Sequence, residues 1–444
     1  MTATETGADA QVPPAALSPQ LTAGQRLRAI LGGSSGNLVE WYDWFVYSAF
    51  APYFSAQFFP SDDPLTSLLG TMATFAVGFF ARPAGAWLMG LYADRAGRRT
   101  ALTAAVALMC FGSLIIAVLP GYETIGIAAP ILLVTARILQ GLSVGGEYGA
   151  SATYLSEMAG RKRRGFWSSF QFVTMVMGQL IALAILALLQ TTLSDEVLRD
   201  WGWRIPFFIG AAMAVIVFWV RARMDESASF ENSRARGEER ARTMLLFLRH
   251  PRETVAIFLF TAGGSLAFYS YTTYMPKFLK GSGGLPDATA TAISAGSLFV
   301  YLAALPLFGW ISDHLGRRAT LAFAFGGCAL MTYPAMTALM NGPDPLAAFL
   351  IVSALVFVLS GYNSVSAVVK AELFPANVRA LGVALPYGMA AAIFGGTAEM
   401  LALAFKKAGH ETWFFVYVSA VLVMSLLVVL RLRESKTHSL ILED

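Results

Sequence analysis

The chain has 444 residues, of which 56% are hydrophobic and only 14% are charged. A soluble domain carries about 25% charged residues, so an ordinary water-soluble globular protein is excluded, as a mean hydropathy of +0.59 also indicates. The formal charge of +4 and the pI near 9.0 call for no nucleic-acid partner, because the basic residues sort by position along the chain.

Apolar runs of about 20 residues, the length that crosses a bilayer as a helix, recur from end to end. In lipid only helices and closed barrels satisfy every backbone group, and these runs are too long and too uniformly apolar for barrel strands. The predicted fold class is therefore all-α: a polytopic membrane protein with twelve transmembrane helices in two six-helix halves. The predicted spans are 30–57, 65–93, 100–119, 126–157, 165–190 and 203–221, then 253–280, 288–312, 319–340, 345–372, 380–405 and 412–431. The chain divides into an N-terminal tail (1–28), a first half (29–221), a linker (222–250), a second half (251–432) and a C-terminal tail (433–444). Residues 1–22 have no apolar period and are predicted to be disordered. Span one is too long, too far from the N-terminus and too acidic for a cleaved signal peptide.

Lys and Arg set the orientation. The side that holds both termini carries 23 of the 32 basic residues, the other side carries six, and Arg82, Arg137 and Lys370 fall within spans. Both termini are predicted to be cytoplasmic.

Span one contains GNLVEWYDWFVYSAF at 36–50, with Glu40 and Asp43 in an otherwise apolar, aromatic stretch. A charge at bilayer depth is costly, so it should face the bundle interior and have a partner or a task. Arg82 in span two lies at a depth where it can pair with Glu40, as a structural ion pair or a functional one. Asp43 is near mid-depth. Span four carries Arg137 and Glu147, ten residues apart and too distant along the helix to pair directly. Asp43 and Arg137 have no evident depth-matched partner, which favours a functional role. Glu399 lies in span eleven.

These residue types suit a proton-coupled anion carrier. Arg binds a carboxylate through two parallel hydrogen bonds and keeps its proton, while a buried acid can take up and release one. Arg82 and Arg137 are therefore candidate substrate ligands, and Glu40, Asp43, Glu147 and Glu399 candidate proton carriers. Gln171, Tyr269, Tyr274 and Asn363 are polar groups within spans and further candidates for substrate contact, although such a group alone more often makes an interhelical hydrogen bond than a ligand contact. The glycines of GLSVGGEYGAS at 141–151 fit close helix packing; a phosphate loop lacks its strand–helix context. Cys110 and Cys328 fall inside spans as small apolar residues. The four histidines sit in loops or tails, and no metal site is predicted.

The loops repeat. GLYADRAGRR at 90–99 and GWISDHLGRR at 309–318 match at an offset of 219, and Glu157 precedes Arg164 by seven residues as Glu372 precedes Arg379. Gly90, Asp94, Arg95, Gly97, Arg98, Asp313, Arg317, Glu157, Arg164, Glu372 and Arg379 are thus candidates for a charge latch that holds one conformation and releases it in another. A positive-inside signal would explain one such loop; two copies at the same place in each half favour the latch.

Two six-helix halves with these loops resemble the major facilitator superfamily. NLVEWYDWFVYS, GFFARPAGAWLMG, ARILQGLSVGGEYGASATYLSE, WGWRIPF, KAELFPANVRALGV and AIFGGTAE resemble the metabolite:H⁺ symporter family within it. The resemblance covers residues from about 30 to about 430. It implies uptake of a small carboxylate, α-ketoglutarate before citrate, shikimate or a betaine, in symport with protons across a bacterial inner membrane. It implies no cofactor beyond the proton as coupling ion, and a lipid-embedded carrier functional as a monomer. Onto this chain it carries Glu40, Asp43, Arg82, Arg137, Glu147, Asp94, Arg95 and Glu399. Pro276, Pro386 and Ala391 depart from the expected pattern and bear on which substrate is carried. A drug exporter, a neutral-solute uniporter and a binding-only sensor are the competing readings. Two arginines within spans argue against a neutral solute, and no appended soluble domain supports a sensor. No nucleophile motif or nucleotide fold suggests an enzyme.

Overall fold

The computed structural model describes residues 23–96, 98–145, 152, 156, 161–221, 249–375 and 378–441, with the backbone alone at 23–36, 90, 91, 93–96, 98, 99, 101, 102, 161, 220 and 221. Among these residues every regular element is helical. Ten helices are long and apolar enough to cross a membrane, and Thr103–Val118 forms a shorter apolar stretch. The first helix completes twelve spans; its carboxylates and its Trp and Tyr residues lower its hydropathy.

In the first half the spans are Ala23–Phe58, Pro64–Ala96, Arg98–Val118, Ala128–Gly145, Arg164–Ser168 continued by Phe170–Thr192, and Ile205–Arg221. Spans seven to twelve are Pro251–Gly281, Asp287–Leu315, Arg317–Met340, Pro345–Glu372, Arg379–Lys407 and Glu411–Arg431. Span seven passes through a π-helical segment at Tyr269–Thr273 and span eleven through another at Ala391–Gly395. Both follow from local sequence. Pro276 removes a backbone donor just past the first segment, and Pro386 does so before the second. Span ten starts cleanly because the Asp344 carboxylate accepts from the amides of Leu346 and Ala347 at 3.0 and 3.1 Å, a helix N-cap.

Helices pair in the same order in both halves. Span one packs on five, two on four and three on six; seven packs on eleven, eight on ten and nine on twelve. The halves meet through span two against eleven and span five against eight. Large apolar side chains such as Ile131, Phe299 and Leu330 point outward, where lipid replaces water as their surroundings. The face at which the first helix starts and the last one ends is called the terminal face below.

Spans two and four cross closely because small residues line the crossing. A Cβ on Gly141 would stand 2.1 Å from the Gly78 carbonyl oxygen, and one on Gly145 would stand 2.0 Å from that of Arg82. No larger residue fits there. This crossing brings the helix of Arg82 against the helix of Arg137.

Candidate functional site

Span one lies at the centre, and its Trp44 is the axis of the site. The Arg82 guanidinium carbon stands 3.9 Å from the centre of the Trp44 ring and that of Arg137 stands 4.0 Å from it. The Trp44 ring thus makes a cation–π contact with both guanidiniums. The two charges are thus no more than about 8 Å apart. Phe79 and Trp41 complete the cage of Arg82 at 4.0 and 4.9 Å, and Tyr47 and Phe75 that of Arg137 at 4.4 and 5.2 Å. Aromatic faces stabilise a desolvated cation by about 2 kcal/mol but accept no N–H in line. Accordingly Nε and Nη2 of both arginines are buried without a hydrogen-bond partner. Buried donors are rarely left so.

The remaining Arg137 contact leads to Asp43. Arg137 Nη1 donates to Gln140 Oε1 at 2.7 Å, and Gln140 Nε2 donates to Asp43 Oδ2 at 2.5 Å. The Ser113 hydroxyl donates to Asp43 Oδ1, and Gln140 Nε2 also reaches Ser113 Oγ at 3.1 Å. Asp43 and Arg137, which the sequence left without evident partners, are therefore joined through one amide. Gln140 and Ser113 were missed. Gln140 lies three residues after Arg137 on the same helical face, a spacing that would have identified it; Ser113 had no such signal.

The second half closes over Arg82. Tyr269, in the π segment of span seven, interacts with the Arg82 guanidinium, and Tyr387 and Glu40 act on it electrostatically. The Tyr269 ring meets Phe79 edge-on at 5.1 Å. Span eleven can approach because position 395 is Gly; a Cβ there would stand 2.8 Å from the Tyr269 ring. Two small cavities flank this layer. One is lined by Trp41, Arg82, Pro83, Val144 and Tyr387 among others; the second is lined by Phe45, Gln179, Thr273, Pro276 and Lys277 among others. Each has room for about one water molecule.

Away from the terminal face, a buried cluster joins the two halves. Lys277 Nζ donates to Glu399 Oε2 at 2.7 Å and to Ser48 Oγ at 2.6 Å, and Ser48 Oγ donates to Glu399 Oε1 at 2.6 Å. Ser48 belongs to the first half and the ion pair to the second. Lys277, counted in sequence among the six basic residues of the side away from the termini, has a side chain only 6% exposed here.

At the terminal face the latch residues of the second copy converge. Both carboxylate oxygens of Asp313 accept backbone amides across the halves, from Gly165 at 2.8 Å and Phe166 at 3.0 Å. Arg317 donates to Asp313 at 2.8 Å. Glu372 lies 3.9 Å from both Arg164 and Arg317, and Arg379 donates to the Phe374 carbonyl at 3.2 Å. In the first copy, the side chains of Gly90, Asp94, Arg95 and Arg98, together with Gly97, Glu147 and Glu157, lie outside the described residues.

Three candidates lie away from the arginine pair. Tyr274 stacks near Phe278 and Phe414 at 5.8 and 6.1 Å, inside the second half. Asn363 donates to the Tyr301 hydroxyl within that half. Gln171 is buried near the start of the long helix of span five, where its carbonyl accepts from Thr174 at 3.1 Å. Among the described residues no group of three His, Cys, Asp or Glu side chains could hold a metal.

The family described as "Sugar (and other) transporter" matches residues 29–257 and 245–443. The chain belongs to this family. It is 49% identical to the alpha-ketoglutarate permease of Escherichia coli (strain K12), over 92% of this chain and 94% of the relative. It is 35% identical to a citrate-proton symporter of Salmonella typhi, over 85% and 87%, and 32% identical to the shikimate transporter of Escherichia coli, over 92% and 95%. Among solved structures, the major facilitator superfamily proton:xylose symporter bound to 6-bromo-6-deoxy-D-glucose superposes with a TM-score of 0.76 at 18% identity, covering 95% of this chain and 98% of that one. The twelve-helix chain thus has the major facilitator fold and is a multi-pass membrane transporter of this family, not an enzyme.

Proposed function

We propose that the protein imports a small dicarboxylate, α-ketoglutarate in the first instance, together with protons. The observation that carries this reading is the Trp44 indole in contact with two buried guanidiniums, with four of their nitrogens unpaired. Two fixed positive charges within about 8 Å of one another suit the two carboxylates of a short diacid, each met by a two-pronged Arg. Identity of 49% to a permease named for α-ketoglutarate supports that substrate, and the citrate and shikimate relatives define the alternatives.

Coupling follows from charge. Asp43 draws on Arg137 through Gln140, and so competes with a substrate carboxylate for the same cation. A proton on Asp43 removes one negative charge and loosens the amide's hold, leaving Arg137 free to turn to the anion. By linkage, a bound anion raises the affinity of Asp43 for the proton to the same extent. Alternating access would break the Lys277–Glu399–Ser48 cluster to open one face and the Asp313–Gly165 latch to open the other. The positive-inside bias places the terminal face in the cytoplasm of a bacterium. No cofactor enters the scheme beyond the proton, and one chain suffices.

The test is uptake of labelled α-ketoglutarate into proteoliposomes, with and without an inward proton gradient, against a panel of competing acids. Gradient-driven accumulation, best displaced by C4 to C6 dicarboxylates, is expected. Flux indifferent to the gradient would refute symport, and displacement by a neutral solute alone would refute the substrate class.

A further inference from the structure

The sequence RLRESKTHSLILED after span twelve reads as a charged, solvated tail. In the structure its residues 432–441 run back over the terminal face and bind the latch region through Glu434, Ser435, Lys436, Ser439 and Leu440. Glu434 accepts the amides of Arg317 at 2.8 Å and Arg318 at 3.0 Å, a carboxylate capping the N-terminus of span nine. It comes this close because Gly316, at φ 100°, has no side chain to exclude it; a Cβ there would stand 2.7 Å from the carboxylate. Ser435 donates to the Glu372 carboxylate at 2.6 Å, and Lys436 donates to the Asp313 carbonyl at 2.5 Å. The Leu440 amide donates to the Glu372 carbonyl at 3.0 Å, and the Leu440 carbonyl accepts from Arg379 at 2.9 Å.

Two contacts reach the other half. Arg164, at the start of span five, donates to the Ser439 hydroxyl at 3.3 Å. The Ile441 side chain is 5% exposed and belongs to a buried apolar cluster with Ala152 of the first half and Ala367, Ala371, Val383, Tyr387 and Ala391 of the second. Tyr387 in turn lines the cavity that contains Arg82. A segment anchored to one half alone would ride with that half as the carrier rocks. This one bridges the seam, and its apolar end joins the cluster that extends to Tyr387 beside the candidate substrate site.

We propose that residues 432–441 are an intramolecular strap that holds the terminal-face mouth of the transport path shut, with Ile441 as its plug. Opening toward that face then requires Ile441 and Ser439 to leave the first half. The anchor on Glu434 keeps the strap near its seat, so the release is local and reversible. This inference rests on alternating access in a carrier of this fold, and not on the identity of the substrate.

The test reads the conformation directly and uses no substrate. In full-length protein carrying Cys110→Ser and Cys328→Ala, Val144→Cys places a thiol in the wall of the Arg82 cavity. A membrane-impermeant maleimide is then delivered to each side of proteoliposomes in turn. Ile441→Asp should raise labelling from the terminal face about tenfold, since a buried aliphatic contact is lost, and Ile441→Leu should leave it unchanged. Glu434→Gln should give a smaller rise, and deletion of 433–444 the largest. Wild-type labelling rates in both Ile441→Asp and Glu434→Gln would overturn the proposal. An equal rise from the opposite face would overturn it too, because general loosening and not release of a strap would be the cause. Should the deletion fail to fold, the two point variants decide the matter.

Discussion

In the first half, spans one, two and four run unbroken through the layer where Glu40, Asp43, Arg82 and Arg137 lie. In the second half, spans seven and eleven both pass through π segments at the matching place, and these bring Tyr269 and Gly395 against the arginine layer. The helix pairing is the same in the two halves, yet one holds fixed charge and the other holds the irregular backbone. The difference suggests a division of labour. Rigid helices keep two guanidiniums on one indole, while segments with a spare hydrogen-bond register can bend over the substrate and away again.

Substitutions that break this comparison should show graded effects. Arg137→Lys should cost the most, about 100-fold in uptake, because an ammonium neither forks around a carboxylate nor stacks as a plane on Trp44. Loss of less than about threefold would place Arg137 outside the site. Asp43→Asn keeps the hydrogen-bonding shape but cannot titrate. It should abolish gradient-driven accumulation while preserving exchange of labelled for unlabelled substrate across the membrane. Equal loss of both would assign Asp43 to holding Gln140 and Ser113 in place.

The second half is tested next. Gly395→Leu forces a side chain into the Tyr269 ring and should reduce uptake about tenfold through closure and not through binding, leaving equilibrium affinity for α-ketoglutarate near wild type. Lys277→Met strands the buried Glu399 carboxylate and should lower Tm by several degrees; adding Glu399→Gln should restore most of it, since the cost lies in an unpaired charge. The smallest effect belongs to Tyr274→Phe, expected within about twofold of wild type because the ring packs among Phe278 and Phe414. A large loss there would show that the second half supplies ligands as well as motion.

Much of the architecture is legible in the sequence because lipid leaves so few choices. The twelve apolar runs, the six-and-six division and the repeated loop follow from length, charge bias and self-similarity alone. The acids and arginines within spans stand out for the same reason, since each is costly at that depth. What they do to one another is not legible. That Arg82 and Arg137 both reach the Trp44 ring depends on the crossing of spans two and four, and a list of aromatic residues in span one does not specify it. Lys277 reads as a cation near the far end of span seven, and nothing beside it in sequence shows that it meets Glu399. Ser113 is one hydroxyl among many, and the strap reads as an ordinary tail, because its partners lie more than 60 residues away in sequence.

Isothermal titration of α-ketoglutarate into the purified carrier, repeated in buffers of different ionisation enthalpy, counts the protons taken up with each anion. An arginine pair that holds the dicarboxylate while Asp43 accepts its proton predicts about one proton per substrate in the wild type, and none in Asp43→Asn with binding retained. Equal proton uptake in both proteins, or binding of the anion with no proton in either, would contradict it.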